Sequence, residues 1–180
     1  MPWKNGAGTT REIAVFPAPG ENTEIRSTGF WWRISVADIV QDAAFSTFDD
    51  ADRQFLVATP SALILDVAGA ERAVCQGRPV AFSGEDEVAV KVVTGPTSVI
   101  NLITRRSACS GAIDVQLQDG RVAISSTAVA VVLLAGSART GEGRKLVPMQ
   151  FLLPGPEPET LDCESAIVAV IHVHAATEAG

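Results

Sequence analysis

The chain has 180 residues, 47% of them hydrophobic and 19% charged, with a formal net charge of −7. That balance excludes a disordered chain, which lacks the apolar side chains to build a core. It also argues against nucleic acid or an anionic membrane surface as the main partner. The length suits one compact unit or two small ones. All but Lys4, Lys91 and Lys145 of the 14 basic residues are arginine, the residue suited to forked recognition of carboxylates.

The chain opens on Trp3-Lys4-Asn5-Gly6-Ala7-Gly8-Thr9-Thr10-Arg11-Glu12-Ile13. An indole, an ammonium, a carboxamide, a guanidinium and a carboxylate around two glycines suit a polar ligand site, with backbone free to approach closely. A solvated N-terminal arm is the competing reading. Next, Phe30-Trp31-Trp32-Arg33-Ile34-Ser35-Val36-Ala37 reads as a strand with Arg33, Ser35 and Ala37 on one face. An inward Arg33 beside the Ser35 hydroxyl could grip a carboxylate; an edge strand with outward polar groups is equally compatible. Residues 36–44 carry the pattern of a short helical turn. Phe45-Ser46-Thr47-Phe48 then reads as a loop packed by its aromatics, with Arg53 in a structural pair with Asp52 or Asp50.

Period two continues through Leu63-Ile64-Leu65 and through Val88, Val90 and Val92, with glycine and proline punctuation between. Asn101-Leu102-Ile103-Thr104-Arg105-Arg106 places Asn101, Ile103 and Arg105 on one face, either as ligand contacts or as a surface pair. Ile113, Val115 and Leu117 alternate up to Asp119-Gly120, and Val122 and Ile124 alternate beyond it, which predicts a hairpin with a two-residue turn. A weak repeat joins Ile64-Leu65-Asp66-Val67-Ala68-Gly69 to Val131-Val132-Leu133-Leu134-Ala135-Gly136. After each copy come a proline, a phenylalanine and a glycine: Pro79, Phe82 and Gly84, then Pro148, Phe151 and Gly155. The fixed order suggests a duplicated β unit, and chance similarity of two apolar hairpins competes with it. Many short strands with Gly and Pro turns make the fold all-β, a sandwich or barrel.

Near the end, His172-Val173-His174 with Glu178 has the HxHxxxE spacing of metal-binding cupins. Two histidines at i and i+2 point the same way from a strand, as a metal site needs. They are the only two histidines, and residues 175–180 read as a frayed tail, so strand-end or surface histidines are the expected reading and no cofactor is assigned. No GxSxG elbow occurs, and Gly6-Ala7-Gly8 is too short for a phosphate loop. Acid pairs such as Asp49-Asp50 are most simply solvated. Cys75, Cys109 and Cys163, scattered and odd in number, fit reduced thiols and not a disulfide framework or a zinc site. No leader-like segment opens the chain, and the longest apolar run, residues 128–135, is too short to span a bilayer; a soluble cytoplasmic protein is expected.

Taken together, Met1-Pro2-Trp3-Lys4-Asn5-Gly6, Thr10-Arg11-Glu12-Ile13-Ala14, Trp32-Arg33-Ile34-Ser35-Val36-Ala37, Phe45-Ser46-Thr47-Phe48, Arg53, Phe82 and Asn101-Leu102-Ile103-Thr104-Arg105 resemble the HutD/Ves family. The match covers roughly residues 1 to 108 in consistent order. The resemblance implies a duplicated cupin-like β-barrel (a bicupin, RmlC-like jelly roll), with residues 1–108 as the N-terminal half, 109–180 as the C-terminal half, and the two forming one compact unit. It further implies association with histidine utilisation and binding of an intermediate such as urocanate or formylglutamate, without an established catalytic activity. The pocket candidates it marks are Trp3, Lys4, Asn5, Arg11, Arg33, Ser35, Asn101 and Arg105. Departures occur at Asp49-Asp50, where the family has proline-glycine, and at Val99 and Ile103, where it has an acid and a methionine. Family members often begin several residues earlier, which leaves room for a first strand before Met1. The expected partner is a small carboxylate, with no nucleic acid and no membrane; a homodimer is an allowed state. The alternative function is a metal-dependent cupin enzyme using His172 and His174. A third is an assembly protein with exposed apolar strands.

Overall fold

The structure is a computed structural model and describes residues 1–3, 6–17 and 29–176. Lys4, Asn5 and Glu178 therefore lie outside the described residues. The described chain is all strand and loop, and it divides into two compact units, Met1–Gly111 with Ala175 and Ala176, and Ala112–His174.

In the first unit a five-stranded sheet runs in the order β1 (Gly8–Phe16), β2 (Trp32–Ile39), β9 (Thr97–Arg105), β4 (Ala51–Val57), β7 (Val80–Ser83). A four-stranded sheet runs in the order β3 (Ala43–Ala44), β8 (Val88–Val92), β5 (Ala62–Val67), β6 (Ala70–Cys75). All pairs given in register are antiparallel, as hairpins and Greek-key connections allow. One apolar core joins the two sheets: Ala37, Ile39, Phe55, Val57 and Val99 come from the first, and Leu63, Leu65, Val67, Val88 and Val90 from the second. These side chains recur at every second residue, so one face of each strand buries its Val, Leu or Phe. Each such burial contributes roughly 1.5–3 kcal/mol.

The register explains how polar side chains come to share that interior. Arg33 on β2 and Arg53 on β4 both lie opposite Ile103 on β9, and Phe82 on β7 lies opposite Arg53. Two residues along, Ser35 and Phe55 both lie opposite Asn101. Two further, Ala37 and Val57 both lie opposite Val99. Alternation puts all of these on one face, polar at one end of the sheet and apolar at the other.

The second unit carries a sheet in the order β10 (Cys109–Ala123), β14 (Thr160–Ala175), β11 (Ala128–Thr140), β12 (Lys145–Leu146), with β13 (Phe151–Leu152) also paired to β11. Its core is aliphatic: Val131, Leu133, Leu146, Leu161 and Val168 are buried together.

Two local expectations fail, each because tertiary pairing overrides a short-range signal. Residues 36–39 are strand, not a helical turn, because β1 and β9 flank β2 and pair with it on both sides. Asp119-Gly120 is not a hairpin turn, since β10 passes straight through it. Asp114 lies beside His172, Asp119 accepts from the Ser165 amide at 3.3 Å, and Arg121 pairs with Asp162 at 2.8 Å. Partner numbers fall as β10 numbers rise, which is the order of an antiparallel neighbour and not of a chain folding back on itself. Finally, the two Ala-Gly pairs of the repeat do different work. Ala68 and Gly69, both at positive φ, form the two-residue turn between β5 and β6. Gly136 instead sits inside β11 at a register shift, where a Cβ would lie 2.2 Å from the Ser165 carbonyl oxygen.

Candidate functional site

The polar end of the first unit's sheet opens into a cavity of about 520 Å³. It is lined by Trp3 and Thr10 from the N-terminal segment and β1, by Arg33, Ser35, Asn101, Ile103 and Arg53 from β2, β9 and β4, and by Phe45, Ser46 and Phe48 from the loop after β3. Among the described residues, no aspartate or glutamate lines it.

The N-terminal segment is seated by its backbone. Trp3 N donates to Gly8 O at 2.9 Å, Thr10 N donates to Met1 O at 2.8 Å, and Pro2 bridges to Thr9. The Trp3 indole Nε1 then donates to Thr10 Oγ1 at 2.7 Å, and its ring meets Phe45 edge-on at 6.0 Å. The aromatic loop is tied down at Phe48, whose amide donates to Gly84 O at 2.8 Å, while the Gly84 amide donates to Ala51 O at 2.7 Å. Only glycine fits there, because a Cβ at position 84 would lie 2.3 Å from the Phe48 carbonyl oxygen. The turn behind the loop is clamped by Arg106, which bonds Asp52 at 2.7 Å and Glu85 at 2.5 Å, while Glu85 Oε1 accepts from the Asp50 amide at 2.8 Å. Hydrogen bonds from Arg106 and Ser83 hold the Glu85 carboxyl down at about 2.

Both arginines are held by rings. The Arg33 guanidinium lies 5.0 Å from the Phe30 centroid and 5.4 Å from that of Phe48. The Arg53 guanidinium lies 5.3, 5.6 and 5.0 Å from Phe45, Phe48 and Phe82. Arg53 is only 5% exposed; its Nη1 donates to Ser46 O at 3.1 Å and its Nη2 to Asn101 Oδ1 at 3.4 Å. The Nε of each arginine is buried and without a hydrogen-bond acceptor. An unpaired buried N–H costs about 1–3 kcal/mol, and a buried charge without a counter-charge costs more. Burial pushes the Arg33 guanidinium below its ordinary value, opposed in part by Glu12. Burial, then the like charge of Arg33, pushes Arg53 down to about 10. The cavity thus holds two cations and spare donors with aromatic walls, a set that accommodates an anion with a flat or short carbon frame.

Of the residues singled out from the sequence, Trp3, Arg33, Ser35 and Asn101 line this cavity, and Lys4 and Asn5 fall outside the described residues. Arg11 does not line it: Thr10 faces the cavity, and its neighbour Arg11 is exposed. Arg105 does not line it either. At the end of β9 its Nε donates to Phe30 O at 3.2 Å and its Nη1 lies 3.7 Å from Asp50, so it braces the surrounding loops. Arg53, read from the sequence as a partner of Asp52 or Asp50, belongs to the cavity instead; Asp52 is taken by Arg106.

In the second unit His172 Nδ1 lies 2.9 Å from Thr127 Oγ1 and Nε2 lies 3.6 Å from Asp114 Oδ2, with the His174 ring stacked at 6.5 Å. Among the described residues no three His, Cys, Asp or Glu side chains gather as metal ligands would. Among them, too, no helix is long and apolar enough to cross a membrane.

Comparison with known proteins gives this geometry a lineage. A 21.2 kDa protein from the hutC 3′ region of Pseudomonas putida is 36% identical over 139 residues, covering 77% of this chain and 69% of that one. Protein Ves of Citrobacter koseri is 30% identical over 115 residues, 63% of this chain and 56% of Ves. The chain therefore matches little more than half the length of that relative. Among solved structures, a conserved protein of Pseudomonas aeruginosa PAO1 superposes with a TM-score of 0.76 at 26% identity, over 96% of this chain and 92% of that one. HutD from Pseudomonas fluorescens SBW25, in a formate condition, gives 0.71 at 26% identity over 98% and 94%. A cupin barrel protein of Leptotrichia buccalis, at 9% identity and a TM-score of 0.65, shares the fold alone. The family described as HutD matches residues 1–165, and this all-β, cupin-like chain belongs to it.

Proposed function

We propose that the protein is a non-enzymatic regulator of histidine utilisation, acting in the cytoplasm by binding a small carboxylate such as urocanate or formylglutamate. The observation that carries this reading is the pair of guanidiniums, half-buried Arg33 and buried Arg53, in a cavity whose lining among the described residues carries no carboxylate. A ligand carboxylate would supply a counter-charge to the guanidiniums that line the cavity, through charge-assisted bonds that are roughly twice as strong as neutral ones. Phe45, Phe48 and Trp3 offer flat apolar surface to the ligand's frame, which suits the ring of urocanate. Family membership supports the metabolic setting, as does the position of the Pseudomonas putida relative beside hutC.

A calorimetric screen of urocanate, formylglutamate, formate and histidine tests the reading. One of the carboxylates is expected to bind with unit stoichiometry, and Arg33→Ala is expected to abolish that binding with thermal stability nearly unchanged. Unaltered affinity in Arg33→Ala would remove Arg33 from the site, and silence from every compound would remove the ligand class.

A further inference from the structure

We infer that Phe48 is a positioning residue for both cavity arginines, so that one ring sets the two anion-binding groups together. This rests on the carboxylate-binding reading above and deepens it. The Phe48 centroid lies 5.4 Å from the Arg33 guanidinium and 5.6 Å from that of Arg53, and it is the ring that the two share. Among the described residues neither guanidinium has a carboxylate in the cavity lining, Glu12 acting on Arg33 from outside that lining, and the two repel each other, since the charge of Arg33 helps lower the proton affinity of Arg53. The negative face of the shared ring is the one anchor common to both, beside Phe30 at Arg33 and beside Phe45, Phe82 and the Ser46 and Asn101 acceptors at Arg53, and in a desolvated site it is strong enough to matter. The ring is itself fixed from behind. The Phe48 amide is bonded to Gly84 O, and its ring meets Phe30 edge-on at 6.3 Å, so it does not follow the arginines but holds them.

The consequence is that Phe48 governs affinity through the two arginines, in addition to the apolar face it offers the ligand's frame. Its π face, more than its bulk, is what the arginines require. Leucine keeps most of the apolar volume and has no quadrupole; tyrosine keeps both. Titration calorimetry with urocanate and with formylglutamate, at equal ionic strength, compares wild type, Phe48→Leu and Phe48→Tyr, with circular dichroism melts confirming that each is folded. Expected are an affinity loss of about tenfold in Phe48→Leu and recovery to within about twofold of wild type in Phe48→Tyr. In the Phe48→Leu background, Arg33→Lys and Arg53→Lys are further expected to act additively on affinity, whereas in wild type they are coupled. Wild-type affinity in Phe48→Leu, or a Phe48→Tyr protein as weak as Phe48→Leu, would overturn the role of the ring while leaving the carboxylate reading intact. A wild-type protein that binds neither compound would overturn both.

Discussion

The two units use the same strand grammar for opposite ends. In the first, inward positions on β2, β9 and β4 carry Arg33, Ser35, Asn101 and Arg53, and the sheet keeps a cavity of about 520 Å³. In the second, the core is filled by Val131, Leu133, Leu146, Leu161 and Val168, and the pocket beside it, lined in part by Gln116, Gln118 and His172, measures about 100 Å³. Strand alternation alone does not create a site. What distinguishes the first unit is a small number of polar residues at positions where the pattern calls for aliphatic ones, and an aromatic loop that keeps them from collapsing together. Cationic interiors cost stability, and the packed unit has no such pair in its aliphatic core.

The largest effect that would sharpen this contrast lies in the packed unit. Leu133→Ala removes a fully buried side chain and is expected to cost about 3 kcal/mol in chemical denaturation, with carboxylate affinity unchanged. An equal loss of affinity would show that the second unit takes part in binding. Arg53→Met should do the reverse. Stability is expected to hold or to rise by about 1 kcal/mol, because a buried charge without a counter-charge is removed. Affinity is expected to fall by about 2 kcal/mol, the worth of a charge-assisted hydrogen bond. A strongly destabilised Arg53→Met would mean that Arg53 holds the fold and not a ligand.

Thr10→Val deletes the acceptor of the Trp3 indole and is expected to cost about 1 kcal/mol, seen as a red-shifted Trp3 emission in a chain whose other tryptophans are replaced by phenylalanine. An unshifted spectrum would separate Trp3 from the cavity wall. The smallest effect concerns acid. Glu85 is held at about 2 against an ordinary 4.5, so the folded chain binds fewer protons than the unfolded one between those values. The stability it contributes is present above pH 4.5 and lost as pH falls towards 2. Glu85→Gln is expected to flatten that part of the stability–pH curve, as followed by circular dichroism; an unchanged slope would remove the Arg106 clamp from the account of the aromatic loop.

How far the sequence discloses this site depends on which neighbours fix a residue's face. Arg33 and Ser35 alternate with Ile34 and Val36, so the period was legible, and which side met a cavity was a single choice between two. Arg53 followed Asp49-Asp50 and Asp52, and the nearby acids suggested a local ion pair. The signal that places it inward is its alternation with Phe55 and Val57, both fully buried. Arg11 shares its parity with Ile13, which by alternation alone would point both inward, but the register shift between Glu12 and Ala14 interrupts that alternation. Arg105 has the right parity, but it stands at the strand's last residue, where the chain turns away and Asp50 is within reach. The Asp119-Gly120 turn signal was strong and still lost, because β14 offers a neighbour along the length of β10 that a two-residue hairpin would forgo. The all-β class follows from composition and period; bulges and straight passages do not, since they are set by strands far away in the chain.

The most direct measurement is a calorimetric titration of urocanate and formylglutamate into wild type and into the Arg33→Met/Arg53→Met double variant. The account predicts one binding event per chain in wild type and none in a double variant that melts at or above the wild-type temperature. Retained binding in the folded double variant would contradict it.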